Sequence, residues 1–196
     1  MTLKAQPSLS PVEAQIFTSD NTLSGQTLTV SSSTGGLSNG EGFNELDAAT
    51  FGDGNVLLVW VDSLSQNTVI RGRIVSPEGD FITDDFIISE SDNFQLDATA
   101  LTLSNGDVLV LWSDVIITAP LTFVSKARTI SLNSTLASLG SEYSLTSNEN
   151  ELVSSFDALQ TETGRVVIGF DKIVRDSNDD TSFISDIASF CPVGCE

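Results

Sequence analysis

The stretch AATFGDGNVLLVWVD (Ala48–Asp62) decides the fold, because it recurs as ALTLSNGDVLVLWSD (Ala100–Asp114) and, more loosely, as ALQTETGRVVIGFDK (Ala158–Lys172). In each copy a glycine follows the first alanine by six residues, and an aromatic residue follows that glycine by six. Unrelated strands would not keep this spacing. The copies therefore indicate one supersecondary unit that the chain uses repeatedly.

Each copy has the pattern of two strands joined by a tight turn. Short apolar runs rich in β-branched residues follow the glycine-containing turns Gly52–Asn55 and Ser104–Asp107. This pattern is typical of a hairpin whose second strand is buried. We name the strand before the turn A and the strand after it B.

Two further strands, C and D, follow the first two A–B pairs. Val69–Ser89 contains a C strand, a turn and a D strand, and Phe123–Ser147 repeats that order. Val12–Ser33 matches the same half-unit, while Ser182–Phe190 supplies a last C strand. We predict a single all-β repeat domain over residues 1–196. Its expected parts are a half-unit at 12–33 and units at 46–89, 98–147 and 153–190.

The chain is strongly acidic, with 27 acidic and 8 basic residues and a formal net charge of −19. Such a charge repels phosphate backbones and anionic bilayers, so we expect no nucleic-acid partner and no membrane partner. The first 15 residues lack the apolar core of a signal peptide, and no apolar run approaches membrane-spanning length. An extracellular or virion setting is favoured over the cytoplasm.

The sequence contains no histidine. This excludes Ser-His-Asp and Cys-His mechanisms and histidine zinc sites. Since no nucleophile motif is present either, we predict that the protein is not an enzyme and has no catalytic residues. The expected function is a structural or adhesion module on a cell surface, filament or virion that contacts a glycan or another surface protein. The alternative is a fragment of a carbohydrate-active hydrolase that uses paired carboxylates.

Candidate carboxylate pairs lie at strand ends, and no spacing selects one of them as catalytic. They are Asp84 with Asp85 and Glu90 with Asp92. Trp60 and Trp112 occupy equivalent strand positions, and we expect them in the core rather than as sugar-stacking platforms. Alternating basic residues on the two C strands predict the polar face of a half-exposed strand; these are Arg71, Arg73, Lys126 and Arg128.

One segment matches a cation-binding pattern. Asp176, Asn178 and Asp180 fit D-x-N-x-D, which offers alternate oxygen ligands to a hard cation such as calcium, the one candidate cofactor. The sixth position is Thr181 instead of glycine, and the twelfth is Ile187 instead of glutamate. A plain acidic turn is the other interpretation. For Cys191 and Cys195, a local disulfide, an intermolecular disulfide and idle thiols all stay open.

The B strands end in Leu58-Val59-Trp60 and Val110-Leu111-Trp112, and the first C–D turn is Ser76–Phe81. This combination resembles the β-propeller-like repeats of large bacterial secreted calcium-binding proteins of the adhesin and haemolysin type. The resemblance implies an all-β fold of antiparallel, blade-like, four-stranded repeats. Because the last unit lacks a D strand, we expect a homo-oligomer in which Gln26–Ser32 covers that open edge and builds either a larger closed ring or a strand-linked assembly. The alternative is a monomer whose first segment packs as an edge strand.

Overall fold

The structure is a computed structural model, and it describes most of the chain. The described residues are 12–17, 20–31, 46–64, 67–89, 91–117, 122–149, 151–175 and 181–192. Within them the strands are β1 (Glu13–Phe17), β2 (Leu23–Thr29), β3 (Leu46–Thr50), β4 (Val56–Leu64), β5 (Asn67–Val75), β6 (Phe86–Ser89), β7 (Phe94–Thr102), β8 (Val108–Ile116), β9 (Thr122–Asn133), β10 (Leu136–Glu149), β11 (Glu151–Gln160), β12 (Val166–Arg175) and β13 (Thr181–Phe190).

The strands form four antiparallel sheets, each an uninterrupted part of the chain. We call them the N-terminal hairpin (β1–β2), the first sheet (β3–β6), the second sheet (β7–β10) and the third sheet (β11–β13). Within each sheet, neighbours in sequence are neighbours in space. The predicted class of all-β, blade-like, four-stranded antiparallel repeats is confirmed, and the described strands do not close into a ring.

The same turn joins strand A to strand B in the first, second and third sheets. In the first sheet the Gly54 N–H donates to the Phe51 carbonyl over 3.0 Å, and the Phe51 N–H donates to the Asn55 carbonyl over 2.7 Å. The turns that end at Asp107 and Arg165 repeat both bonds. Gly54, Gly106 and Gly164 have φ angles of 90°, 87° and 82°, a conformation that glycine adopts without a Cβ clash. The turn geometry therefore explains why glycine recurs in the repeat.

Successive sheets pack face to face. Leu57 and Val59 of the first sheet lie in one buried cluster with Val108 and Val110 of the second sheet. A second cluster joins the second and third sheets, and a third joins the N-terminal hairpin to the first sheet. We call the face that a sheet turns toward the next sheet its forward face and the opposite face its back face. Each internal interface joins a forward face to a back face.

The aromatic residues of the repeat lie on back faces. Trp60, Trp112 and Phe170 are 1%, 0% and 6% exposed, each in the cluster that joins its sheet to the preceding one. The expectation that the two tryptophans belong to the core is confirmed. Among the described residues, no helix is long and apolar enough to cross a membrane.

Candidate functional site: carboxylates on the inner strands

The A strands of the three sheets lie side by side, and we call β3, β7 and β11 the inner strands. The Thr102 hydroxyl donates to the Thr50 carbonyl over 2.8 Å, which joins β7 to β3. The Gln160 Oε1 accepts from the Ser104 N–H over 2.5 Å, which joins β11 to the turn after β7. Three sheets therefore contribute to one wall of neighbouring strands.

Three carboxylates on the inner strands have described side chains: Asp47, Asp97 and Asp157. Asp47 is half-buried, and its Oδ2 accepts from the Ala100 N–H of β7 over 2.9 Å. Its Oδ1 accepts from the Ala48 N–H over 2.8 Å. Bonds from two neighbouring strands therefore fix the orientation of this carboxylate.

Asp97 is the most unusual residue of the wall. Its φ angle is 61°, its exposure is 7%, and it lies where the β7–β8 register shifts between Leu96 and Thr99. A positive φ in a residue with a Cβ costs energy, and such strain clusters at functional sites. Bulges are likewise common beside active sites, where they redirect a side chain. Strain, bulge and burial together single out Asp97 as a functional candidate.

Asp157 holds the position of Asp47 in the third copy of the repeat, since each directly precedes its landmark alanine. Its side chain is exposed. It lies opposite Gly169 on β12, where an added Cβ would meet only the Asp157 carbonyl, at 3.9 Å. The third inner strand thus carries an exposed carboxylate at the repeat position where the Asp47 carboxylate is hydrogen-bonded.

A second group of charges lies between the first and second sheets. Lys126 Nζ lies 2.9 Å from Asp114 Oδ2 and 2.6 Å from Glu142 Oε1. The Trp112 Nε1–H and a Gln95 Nε2–H both donate to Asp114 Oδ1 over 3.1 Å. Asp114 is fully buried and its oxygens are already engaged. We therefore assign this group to the interface between sheets and not to a ligand site.

The first sheet repeats this arrangement. Arg71 Nε lies 2.8 Å from the buried Asp62 Oδ2, and Arg71 Nη1 lies 3.6 Å from Asp85 Oδ2. Arg73 and Arg128 each donate from Nη1 to a backbone carbonyl of the preceding sheet or hairpin, Val30 and Ile88 respectively. These basic residues form the predicted polar face, since the side chains of Arg71, Lys126 and Arg128 keep 18%, 19% and 21% exposure, and their charges are in addition paired. They lie between sheets because buried carboxylates and carbonyls compensate their charge.

The pKa of Lys126 reflects this environment. Burial alone would lower it, but the hydrogen bonds and charges of Asp114 and Glu142 raise the pKa above its ordinary value of 10.5. A raised pKa in the folded state means that the protonated lysine stabilises the fold. This contribution is complete below pH 10.5 and is lost as the pH rises through the folded-state pKa.

The stabilising effect of Lys126 is expected to disappear at high pH. The difference in unfolding free energy between the wild type and Lys126→Met should be constant below pH 10.5 and should narrow above it, because the wild-type lysine then loses its charge. Urea unfolding of both proteins at a series of pH values measures this difference. A difference that stays constant through the alkaline range would show that the lysine charge is not what stabilises the fold.

The predicted calcium ligands Asp176, Asn178 and Asp180 lie outside the described residues, so calcium binding there stays a prediction. Among the residues that the structure describes, no group of three or more acidic or cysteine side chains could hold a metal ion. Cys191 is disulfide-bonded, which agrees with the disulfide alternatives and not with idle thiols.

The structure does not bring Asp84 and Asp85 together as a site, and the pair Glu90 with Asp92 stays untested. Asp85 is half-buried in its ion pair with Arg71, whereas Asp84 is exposed. Asp92 is exposed and Glu90 lies outside the described residues. The inner-strand carboxylates were missed instead, although two of them could have been found. The repeat places Asp47 and Asp157 directly before Ala48 and Ala158, but no sequence pattern marks the φ angle of Asp97.

No protein-family model and no curated protein matches the sequence. The resemblance to secreted calcium-binding repeats therefore stays a prediction. Solved structures do match. An endo-arabinase from Bacteroides thetaiotaomicron VPI-5482 is 12% identical with a TM-score of 0.53, and the match covers 73% of this chain and 55% of that chain.

Two other structures give similar values. A thermostable family-43 glycoside hydrolase is 11% identical with a TM-score of 0.51, over 73% of this chain and 49% of that chain. An α-L-arabinanase from Penicillium chrysogenum, solved with arabinobiose, is 9% identical with a TM-score of 0.51, over 74% of this chain and 45% of that chain. The chain thus spans about half the length of each protein. These matches place it in the class of β-propeller-like folds.

Proposed function

We propose that this chain belongs to a carbohydrate-active protein that hydrolyses glycosidic bonds, and that Asp97 and Asp47 are the carboxylates that meet the glycan. The observation that carries the proposal is Asp97, a nearly buried carboxylate in a strained backbone conformation on the inner strands. Asp47 of β3 is anchored to the strand that carries Asp97, at Ala100. The sequence alone favoured a non-enzymatic module. We now favour the alternative, a fragment of a carbohydrate-active hydrolase that uses paired carboxylates.

The chemistry of glycoside hydrolysis suits the residues available. It requires two carboxyl groups, one to protonate the leaving oxygen and one to act as base or nucleophile. Histidine is not needed, so its absence from the sequence does not oppose this reaction. The structural neighbours are named as an arabinase, a glycoside hydrolase and an arabinanase, which supports this choice over a purely structural role.

Hydrolysis is tested with arabinobiose and longer arabinan oligosaccharides, by measuring the release of reducing ends. We expect turnover by the wild type and a loss of about 10²–10⁴-fold for Asp97→Asn, because an amide cannot exchange the proton that the reaction needs. Asp84→Asn is the matched control, since it removes an exposed acid outside the inner strands. Circular dichroism of each variant verifies that the sheets are intact.

Other results would contradict the proposal. Unchanged turnover by Asp97→Asn would remove that residue from the chemistry. Binding of an oligosaccharide without any release of reducing ends would favour the non-enzymatic adhesion or structural module. If the chain shows no binding and no turnover with any member of a panel of plant and microbial glycans, a role of this chain on carbohydrate is excluded.

A further inference from the structure

Two sheet faces of the described structure are uncovered, and they are of opposite kinds. One is the forward face of the third sheet, and the other is the back face of the N-terminal hairpin. Both carry large exposed apolar side chains: Leu159 at 56%, Ile187 at 73%, Phe17 at 58% and Leu23 at 51% exposure. A forward face and a back face are the two partners at every internal interface of the molecule.

In the alignment of the repeats, the forward face of the third sheet corresponds to faces that are buried in the first and second sheets. Leu57 and Leu109, both 0% exposed on the forward faces of the first and second sheets, correspond to Val167. Three cross-strand pairs are equivalent in these sheets, each joining strand B to strand C: Val59 with Gly72, Leu111 with Ala127, and Gly169 with Ile187. The first two pairs are buried under the next sheet, whereas in the third pair Ile187 is exposed.

The back face of the N-terminal hairpin corresponds to faces that are buried in the other units of the repeat. Phe17 aligns with Val75 and Ile130, which are 4% and 0% exposed because the preceding sheet or hairpin covers them. Phe17 forms a cross-strand pair with Leu23, so the two side chains share this face. The hairpin therefore presents, to solvent, the positions that other units bury.

We propose that the forward face of the third sheet binds the back face of the N-terminal hairpin of a second copy of this chain. The contact would repeat the forward-to-back packing that already joins all four sheets. It is a head-to-tail contact, which closes into a ring or extends into a filament according to its rotation. It differs from our expected exchange of the strand Gln26–Ser32, because it joins two faces and leaves the edge of β13 unpaired.

Charge opposes this contact at low salt. The net charge of each copy is −19, and the facing surfaces carry Asp157, Asp171 and Glu13. Screening shortens the range of this repulsion to about 10 Å at 0.1 M salt and about 3 Å at 1 M. Association is therefore expected to strengthen as the salt concentration rises, as is usual when apolar burial drives association between like-charged surfaces.

Light scattering over a range of protein and salt concentrations tests the contact. We expect the wild type to form species larger than one chain, more strongly at high salt. Ile187→Lys and Phe17→Lys should each weaken association about 10- to 100-fold, since each removes one buried apolar side chain from the interface. Leu136→Lys is the matched control, because Leu136 is 71% exposed at the β9–β10 turn, away from both faces.

Cross-linking separates this contact from other modes of assembly. A mixture of Phe17→Cys and Ile187→Cys chains should form mixed disulfide-linked dimers, and neither variant should cross-link by itself. Cross-linking of Ile187→Cys with itself would show a symmetric contact and would overturn the proposal. So would a wild type that stays monomeric at high protein and salt concentration, or association that Ile187→Lys leaves unchanged.

Discussion

Trp112→Ala is expected to lower the free energy of unfolding by about 3–5 kcal/mol, the range measured for truncation of large buried aromatic residues. Trp112 is fully buried in the cluster between the first and second sheets. Its Nε1–H also donates to Asp114 Oδ1, so truncation leaves both a cavity and a buried oxygen with one bond fewer. Urea unfolding followed by far-ultraviolet circular dichroism measures the change.

Trp112→Phe separates the two effects. Phenylalanine keeps most of the ring volume and loses the N–H donor, so we expect a smaller loss than for alanine. If Trp112→Ala costs less than about 1 kcal/mol, the packing of the first sheet against the second is not what stabilises this fold.

Lys126→Met is expected to destabilise the fold by about 3–5 kcal/mol, because removing one partner leaves a buried charge uncompensated. The carboxylate concerned is that of Asp114, which is 0% exposed and 2.9 Å from the lysine. Adding Asp114→Asn to Lys126→Met should recover part of the loss, since the double variant no longer contains that charge. The measurement is again urea unfolding, at neutral pH.

Arg165→Met is the matched control for this result. Arg165 is exposed and bonds through Nη2 to the Ser189 hydroxyl over 3.2 Å, so its removal should change stability by less than about 0.5 kcal/mol. Equal effects of the two substitutions, or no recovery in the double variant, would show that the pairing of Lys126 with Asp114 does not contribute specially to the free energy of unfolding.

Local patterns were sufficient to predict the elements of this fold. Gly54, Gly106 and Gly164 mark turns that need a positive φ, so the hairpins could be read directly from the sequence. The apolar B strands β4 and β8 could be read in the same way, because both of their faces are buried between sheets. The burial of Trp60 and Trp112 followed from their equivalent positions on these strands.

Contacts between residues of different strands could not be predicted in this way. Arg71 and Lys126 alternate with small or apolar residues, which is the pattern of a half-exposed strand. Only the pairing of strands shows that Asp62 on β4 and Asp114 on β8, each on the strand next to its basic partner in the same sheet, compensate their charges. The same holds for Asp97, because its backbone conformation depends on a bulge that tertiary pairing creates. Pairing between strands joins residues that are distant in sequence, so a local pattern does not specify it.

The measurement that tests the proposed site most directly is a nuclear magnetic resonance titration of the isotopically labelled chain with arabinobiose and longer arabinan oligosaccharides. We predict saturable shift changes of backbone amides on β3 and β7 around Asp47 and Asp97, and their loss in Asp97→Asn. Saturable changes confined to the outer strands β6 and β10, or no saturable change with any of these oligosaccharides, would contradict a glycan site on the inner strands.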